Sequence, residues 1–178
     1  MVIVITGPIA SGKSTVAREL ARELEGTGVR VAVIDLDLVH DGLAATGAAG
    51  AAATWTLARR AAASEANARI DAGLVVVVAE GSFNAPSARA EFADGLRGGV
   101  VPRFVTLRVS FDEALRRAQA DPTRGRSRDP DFLRPYFKSI ERVLEAVPET
   151  DVVIDTERTP AASAALAIAR LVRHGPAD

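Results

Sequence analysis

Gly7-Pro8-Ile9-Ala10-Ser11-Gly12-Lys13-Ser14 is the stretch whose reading decides the fold. It fills every position of the pattern G-x-x-x-x-G-K-[ST], between an apolar run, Val2–Thr6, and a helical pattern that opens at Lys13-Ser14 and ends before Gly26. Strand, glycine-bounded turn and helix, in that order, are what a phosphate cradle requires. Gly7 and Gly12 let the backbone turn so that successive N–H groups point inward at phosphate oxygens. The helix N-terminus adds unpaired donors and the positive end of its dipole. Lys13 contributes a point charge, and the Ser14 hydroxyl can ligate magnesium.

Outward from this loop, apolar runs alternate with helical patterns, which predicts an α/β fold with a parallel sheet. Strands are predicted at 2–6, 30–35, 74–79, 104–109 and 152–154, all rich in Val, Ile and Leu as strands buried on both faces should be. Further helices are predicted over 54–70, after Pro86, from the capping-box sequence Ser110-Phe111-Asp112-Glu113 to Ala120, and over 132–147 with Pro135 in the first turn. A last helix opens at Thr159-Pro160 and stops near Gly175-Pro176. Residues 42–53, rich in Gly and Ala, read as loop or weak helix, and residues 121–130 (DPTRGRSRDP) as a polar, arginine-dense loop. No repeat or linker interrupts the 178 residues, so a single domain, 1–178, is expected.

Composition narrows the function. A net charge of -1 supplies no basic field for nucleic acid, and the absence of Cys excludes a disulfide framework and a thiolate metal site. The first residues lack a basic leader, and no apolar run is long enough to span a membrane, so a soluble cytoplasmic protein is expected. Lys13 and Lys138 are the only lysines, which makes Lys13 conspicuous. His40 and His174 stand alone and suggest no metal site.

Asp35-Leu36-Asp37 ends the second predicted strand, where a period of two places both carboxylates on one side, at the carboxyl end of the sheet. One can hold water on magnesium while the other accepts a hydroxyl proton from an acceptor; the alternative is that they cap the next helix. Glu80-Gly81 follows the third strand, where Glu80 can hold a magnesium-bound water or touch an acceptor and Gly81 can admit one to the backbone. Arg124, Arg126 and Arg128 alternate along the 121–130 loop and would share one side if it is extended.

With no Asn-Lys guanine reader and no Ser-Gly-Gly-Gln signature, the chain resembles the small P-loop kinases of the nucleoside-monophosphate-kinase type. Within them it is similar to the shikimate kinases and chloramphenicol phosphotransferases. That resemblance implies a three-layer P-loop fold with a five-stranded parallel sheet and a short arginine-rich lid at about 121–130. It implies ATP and Mg²⁺ at Gly7, Ala10, Ser11, Gly12, Lys13, Ser14 and Thr15, with Ser14 and Asp35 in the metal shell and Asp37 on the acceptor as base. It further implies lid arginines, with Arg124 and Arg128 favoured, on the transferred phosphoryl group. Arg117 would stack on adenine, and the loop holding Thr156 and Arg158 would wrap it. Arg59 or Arg60 falls where shikimate kinases bind a carboxylate, although the glutamate that follows at helical spacing there is replaced by Ala62 and Ala63. Trp55 reads as core packing or as the wall of an acceptor pocket.

The expectation is phosphoryl transfer from ATP to the hydroxyl of a small molecule, a metabolite or an antibiotic-like acceptor, with no nucleic-acid or membrane partner. Two alternatives stay open: a nucleotide or dephospho-CoA kinase, and a switch or assembly protein with slow ATPase.

Overall fold

The computed structural model describes residues 1–47 and 50–174, and for residues 51, 52 and 174 it describes the backbone alone. Five parallel strands, β1 (Val2–Thr6), β2 (Val31–Asp35), β3 (Val76–Glu80), β4 (Arg103–Arg108) and β5 (Val152–Asp155), form one sheet in the order β2-β3-β1-β4-β5. The α-helices are α1 (Lys13–Glu25), α2 (Leu36–Ala44), α3 (Ala51–Asp71), α4 (Pro86–Ala93), α5 (Phe111–Ala120), α6 (Pro130–Glu145) and α7 (Ala161–His174).

Alternation along the strands builds the layers. Ile3, Ile5, Val76, Val78, Val105 and Leu107 face a core shared with Val16, Leu20 and Leu24 of α1 and Ile168 of α7. Val2, Val4, Val77 and Ala79 face the opposite core, with Ala58, Ala62 and Ala66 of α3 and Phe92 of α4. The alanines of α3 let that long helix lie close against the sheet. β1 and β3 are buried throughout, but β2 and β5 are edge strands and only partly covered, so burial on both faces holds for the inner strands alone.

The elements differ from the sequence-based boundaries at informative places. Strand β2 ends at Asp35, whose Oδ1 accepts from the backbone N–H of Asp37 (2.9 Å) and Leu38 (3.2 Å), so Asp35 caps helix α2, the alternative left open for this pair. Within the stretch 42–53, α2 continues to Ala44 and α3 begins at Ala51, with residues 48 and 49 outside those described. Helix α6 starts at Pro130 behind an Asp129 cap, so Pro135 lies beyond the first turn. Ser110 caps α5 as expected, but Glu113 does not return to the Ser110 N–H; that donor meets Glu157, and Glu113 pairs with Arg116 and Arg117 instead. The predicted helix stop at Gly175-Pro176 and the His174 side chain lie outside the described residues.

Candidate active site

The Gly7–Ser14 loop runs from the end of β1 into α1 at the carboxyl edge of the sheet. Gly7 (φ 147°) lies so close to β4 that a Cβ there would come within 2.6 Å of the Leu107 carbonyl oxygen, which leaves glycine as the fitting residue. Ala10, at φ 60°, is the one non-glycine residue with positive φ among those described, so the backbone strain the chain holds lies inside this loop. Gly12 caps α1 with no side-chain hydrogen bond, and the first turn carries no acidic residue. The helix therefore presents free N–H donors and an uncompensated positive end. The buried Ser11 hydroxyl also has no partner. Unsatisfied donors converging on a concave loop fit an oxyanion ligand.

Lys13 folds over this loop, its Nζ donating to the carbonyls of Gly7 (3.2 Å) and Pro8 (3.1 Å). Burial holds its ammonium below the usual lysine range, while Glu80, Asp37 and Asp35 pull the other way. The carboxylates come from neighbouring strands: Asp35 of β2 stands in register with Glu80 of β3, and Glu80 in register with Ile5 of β1. Glu80 is 3% exposed; burial raises its carboxyl above the ordinary value, against an approaching Ser14 hydroxyl and Lys13. Asp37 does not continue the strand but sits in the first turn of α2, where partial desolvation raises its carboxyl against the pull of Lys13. The period-two argument for the Asp35–Asp37 pair therefore fails. The two residues meet the same lysine by a different route, one as cap and the other one turn in.

Ser14, Asp35 and Glu80 form a small oxygen donor set next to the cradle, suited to a hard cation that takes its remaining ligands from phosphate and water. Among the described residues no group of three or more acidic, His or Cys side chains is arranged to hold a metal by itself. The set therefore fits magnesium brought with a polyphosphate.

Residues 121–130 fold over the loop. Ile9, Ala10, Gly12, Lys13, Ser14, Asp37, Arg124 and Ser127 line one pocket of about 240 Å³. Arg124 is steadied by Asp121 (3.3 Å), which Thr123 holds in turn. A 3-10 turn at Arg126–Arg128 breaks the extended path, so the three arginines do not share a side. Arg126 stacks on Phe132, and Arg128 is not among the pocket's lining residues.

On the other side of the loop, a pocket of about 300 Å³ is lined by Ser11, Gly12, Thr15, Val16, Arg117, Thr156, Thr159, Pro160 and Ala161. Arg117 braces it: Nε bonds Glu113 (2.7 Å), Nη1 the Thr156 hydroxyl (3.1 Å) and Nη2 the Thr156 carbonyl (2.8 Å). Arg158 points outward, 88% exposed. A cavity of about 660 Å³ between α6 and the ends of β4 and β5 contains none of the Gly7–Ser14 residues.

A third pocket, about 230 Å³, is lined by Arg59, Ser82, Asn84, Ala85, Ala88, Tyr136, Ser139, Ile140 and Val143. Two lining residues tie it to the loop: Asn84 contacts the Gly7 carbonyl and accepts from Thr6, and the Tyr136 hydroxyl meets the Ile9 backbone. Burial pushes the Tyr136 phenol up to about 12. Neither residue was singled out from sequence, since a Tyr inside a helix and an Asn in a turn carry no motif. Arg59 lines this pocket, whereas Arg60 lines a separate groove beside α4. The room at Gly81 (φ 150°) is taken by Leu36, whose Cβ would stand 2.5 Å from an added Cβ, so this glycine serves the packing of α2 on β3. Trp55 stacks on His40 at 3.9 Å and packs on the α3 core.

Several solved structures share this fold. A sugar kinase from Janibacter sp. HTCC2649 superposes with a TM-score of 0.70 at 22% identity, over 99% of this chain and 96% of that one. Shikimate kinase from Acinetobacter baumannii, in complex with shikimate, gives 0.63 at 21% identity, over 99% and 95%. A gluconokinase from Sinorhizobium meliloti 1021 gives 0.61 at 23% identity, over 96% and 93%. No curated protein matches the sequence. The AAA domain family matches residues 2–146. At these identities the superpositions establish the fold, that of the small P-loop kinases.

Proposed function

We propose that this chain, a member of the AAA domain family, is an ATP-dependent kinase for the hydroxyl of a small molecule. One observation carries the reading: Lys13, Ser14, Asp37 and Arg124 line the same pocket at the mouth of the phosphate cradle. We take residues 1–178 as a single domain in which 121–130 acts as a lid.

Donors of the Gly7–Thr15 loop and Lys13 bind the triphosphate, with the nucleoside in the pocket braced by Arg117 and Thr156. Ser14, Asp35 and Glu80 would hold magnesium, whose charge offsets that of the phosphates. Asp37, its carboxyl already raised, accepts the hydrogen bond and then the proton of the acceptor hydroxyl. Arg124, held by Asp121, lies where negative charge develops on the phosphoryl oxygens. Positioning and charge supply most of such a reaction, so few residues need to do covalent chemistry. The neighbours that act on a sugar, on shikimate and on gluconate are consistent with an alcohol acceptor.

The test is acceptor-stimulated ADP release by wild type, Lys13→Ala and Asp37→Asn. Lys13→Ala should lose on the order of 100-fold or more in turnover with a melting temperature close to wild type. Turnover that survives both substitutions would overturn the assignment.

A further inference from the structure

The pocket beside the cradle says what kind of acceptor it takes. Arg59 enters it from α3, but its Nη1 is bound to the Glu91 carboxylate of α4 at 2.7 Å, and Thr56 donates to the same carboxylate (3.2 Å). The helical-spacing glutamate missing at Ala62 and Ala63 is thus replaced across an interhelical contact. The pair is largely withdrawn from water, with side chains 15% and 25% exposed. Its charges therefore cancel at short range with little help from solvent.

Among the described residues, no other cation lines this pocket. Arg89, nearby on α4, is spent on Asp151 (2.8 Å), and Arg69 on Glu65 (2.9 Å). Lys13 and the cradle are reserved for the nucleotide, and the Asp37 carboxylate acts on the Tyr136 phenol of this pocket. The Nε–H of Arg59 is nevertheless buried without a partner, and a buried donor of that kind calls for an acceptor atom. Ser82, Asn84, Tyr136 and Ser139 supply further hydroxyl and amide groups around it.

We propose that this pocket selects a neutral or basic polyol, and that Glu91 is the specificity residue that turns anionic acceptors away by neutralising Arg59. The proposal rests on the kinase reading for the meaning of the pocket. A carboxylate or phosphate ester would find no uncompensated cation among the described residues that line this pocket. A nucleotide or dephospho-CoA acceptor is disfavoured for the same reason.

The experiment is equilibrium binding, read by thermal shift and calorimetry, on protein saturated with a non-hydrolysable ATP analogue and Mg²⁺. The probes are pairs of one skeleton: glucose and glucosamine against gluconate and glucose 6-phosphate, and myo-inositol against its monophosphate. Wild type should bind the neutral or basic member of a pair more tightly, or bind none of the anions. Glu91→Gln keeps the side chain's size and removes its charge, and should tighten gluconate on the order of tenfold, the size of one charge-assisted hydrogen bond. Glu91→Ala removes the carboxylate and the contact together, and should show the same direction. Anion binding by wild type that exceeds its neutral partner overturns the proposal, as does absence of anion binding in both variants. Because no turnover is read, these results can fail while Lys13-dependent ADP release stands, and the reverse.

Discussion

Asp37 shows how one residue trades stability for chemistry. Partial desolvation and the neighbouring Asp35 and Asp41 raise its carboxyl against Lys13 and His40, so the folded chain holds this proton more tightly than the unfolded one. Between the ordinary aspartate range and the raised value the native state binds more protons, so its stability falls as pH climbs through that window. Asp37→Asn removes the charge and should raise the melting temperature of the unliganded protein at pH 7, while lowering turnover about 100-fold or more. An unchanged or lower melting temperature would show that the crowding is not costly. The acid limb of the wild-type rate profile should lie above the ordinary aspartate value, since Asp37 must be ionised to accept the proton. Lys13 has the opposite sign: burial lowers its ammonium, so its cost is present below the lowered value and is relieved as pH rises from there toward the ordinary lysine range.

At the scale of the element, the start of α2 performs two tasks with one side chain. Asp35 accepts two backbone N–H groups and also stands beside Lys13 and Glu80. Asn caps helices about as well as Asp, whereas Ala costs about 1 kcal/mol. Asp35→Asn should therefore keep the melting temperature and weaken the magnesium dependence of ADP release, whereas Asp35→Ala should lose both. A fall in melting temperature for Asp35→Asn equal to that for Asp35→Ala would refute the separation. Arg117 is the comparable device at the other end of the cradle, tying α5 to the loop after β5 through Thr156. Arg117→Ala should raise KM for ATP roughly tenfold, the loss of about one charge-assisted hydrogen bond, with kcat nearly unchanged. A kcat loss without a KM change would move Arg117 from nucleotide positioning to the reacting groups.

Across the whole molecule, a polar network binds the acceptor side to the sheet. Arg89 of α4 pairs with Asp151, which is 2% exposed, and both share the Thr106 hydroxyl of β4 (3.1 and 2.7 Å). Arg89 also donates to the Phe83 carbonyl (3.2 Å) and lies over the Phe104 ring. Removing the arginine would strand a buried carboxylate at a cost of about 3–5 kcal/mol. Arg89→Met should thus unfold at much lower denaturant than wild type, and adding Asp151→Leu should recover most of the loss. If the double variant is no more stable than the single one, the pair contributes more than charge compensation.

The donor half of the site was legible in the sequence because the cradle is local: eight consecutive residues carry its turn, its donors and its cation, and the strand and helix around them are set by the same stretch. Periodicity likewise located all five strands, since each carries a short apolar run that includes β-branched side chains. What the sequence did not show depends on distance in space. The start of helix α2 stayed an open alternative because Asp35-Leu36-Asp37 satisfies a strand's alternation as well as a cap, and only the end of β2 pairing against β3 settles which applies. The Arg59–Glu91 contact joins residues 32 apart, and the Tyr136 contact with Ile9 joins α6 to the first loop. Such pairs carry no spacing that one chain can display. Tertiary packing alone decided which charges pair with one another around the Gly7–Ser14 loop and the pocket beside it.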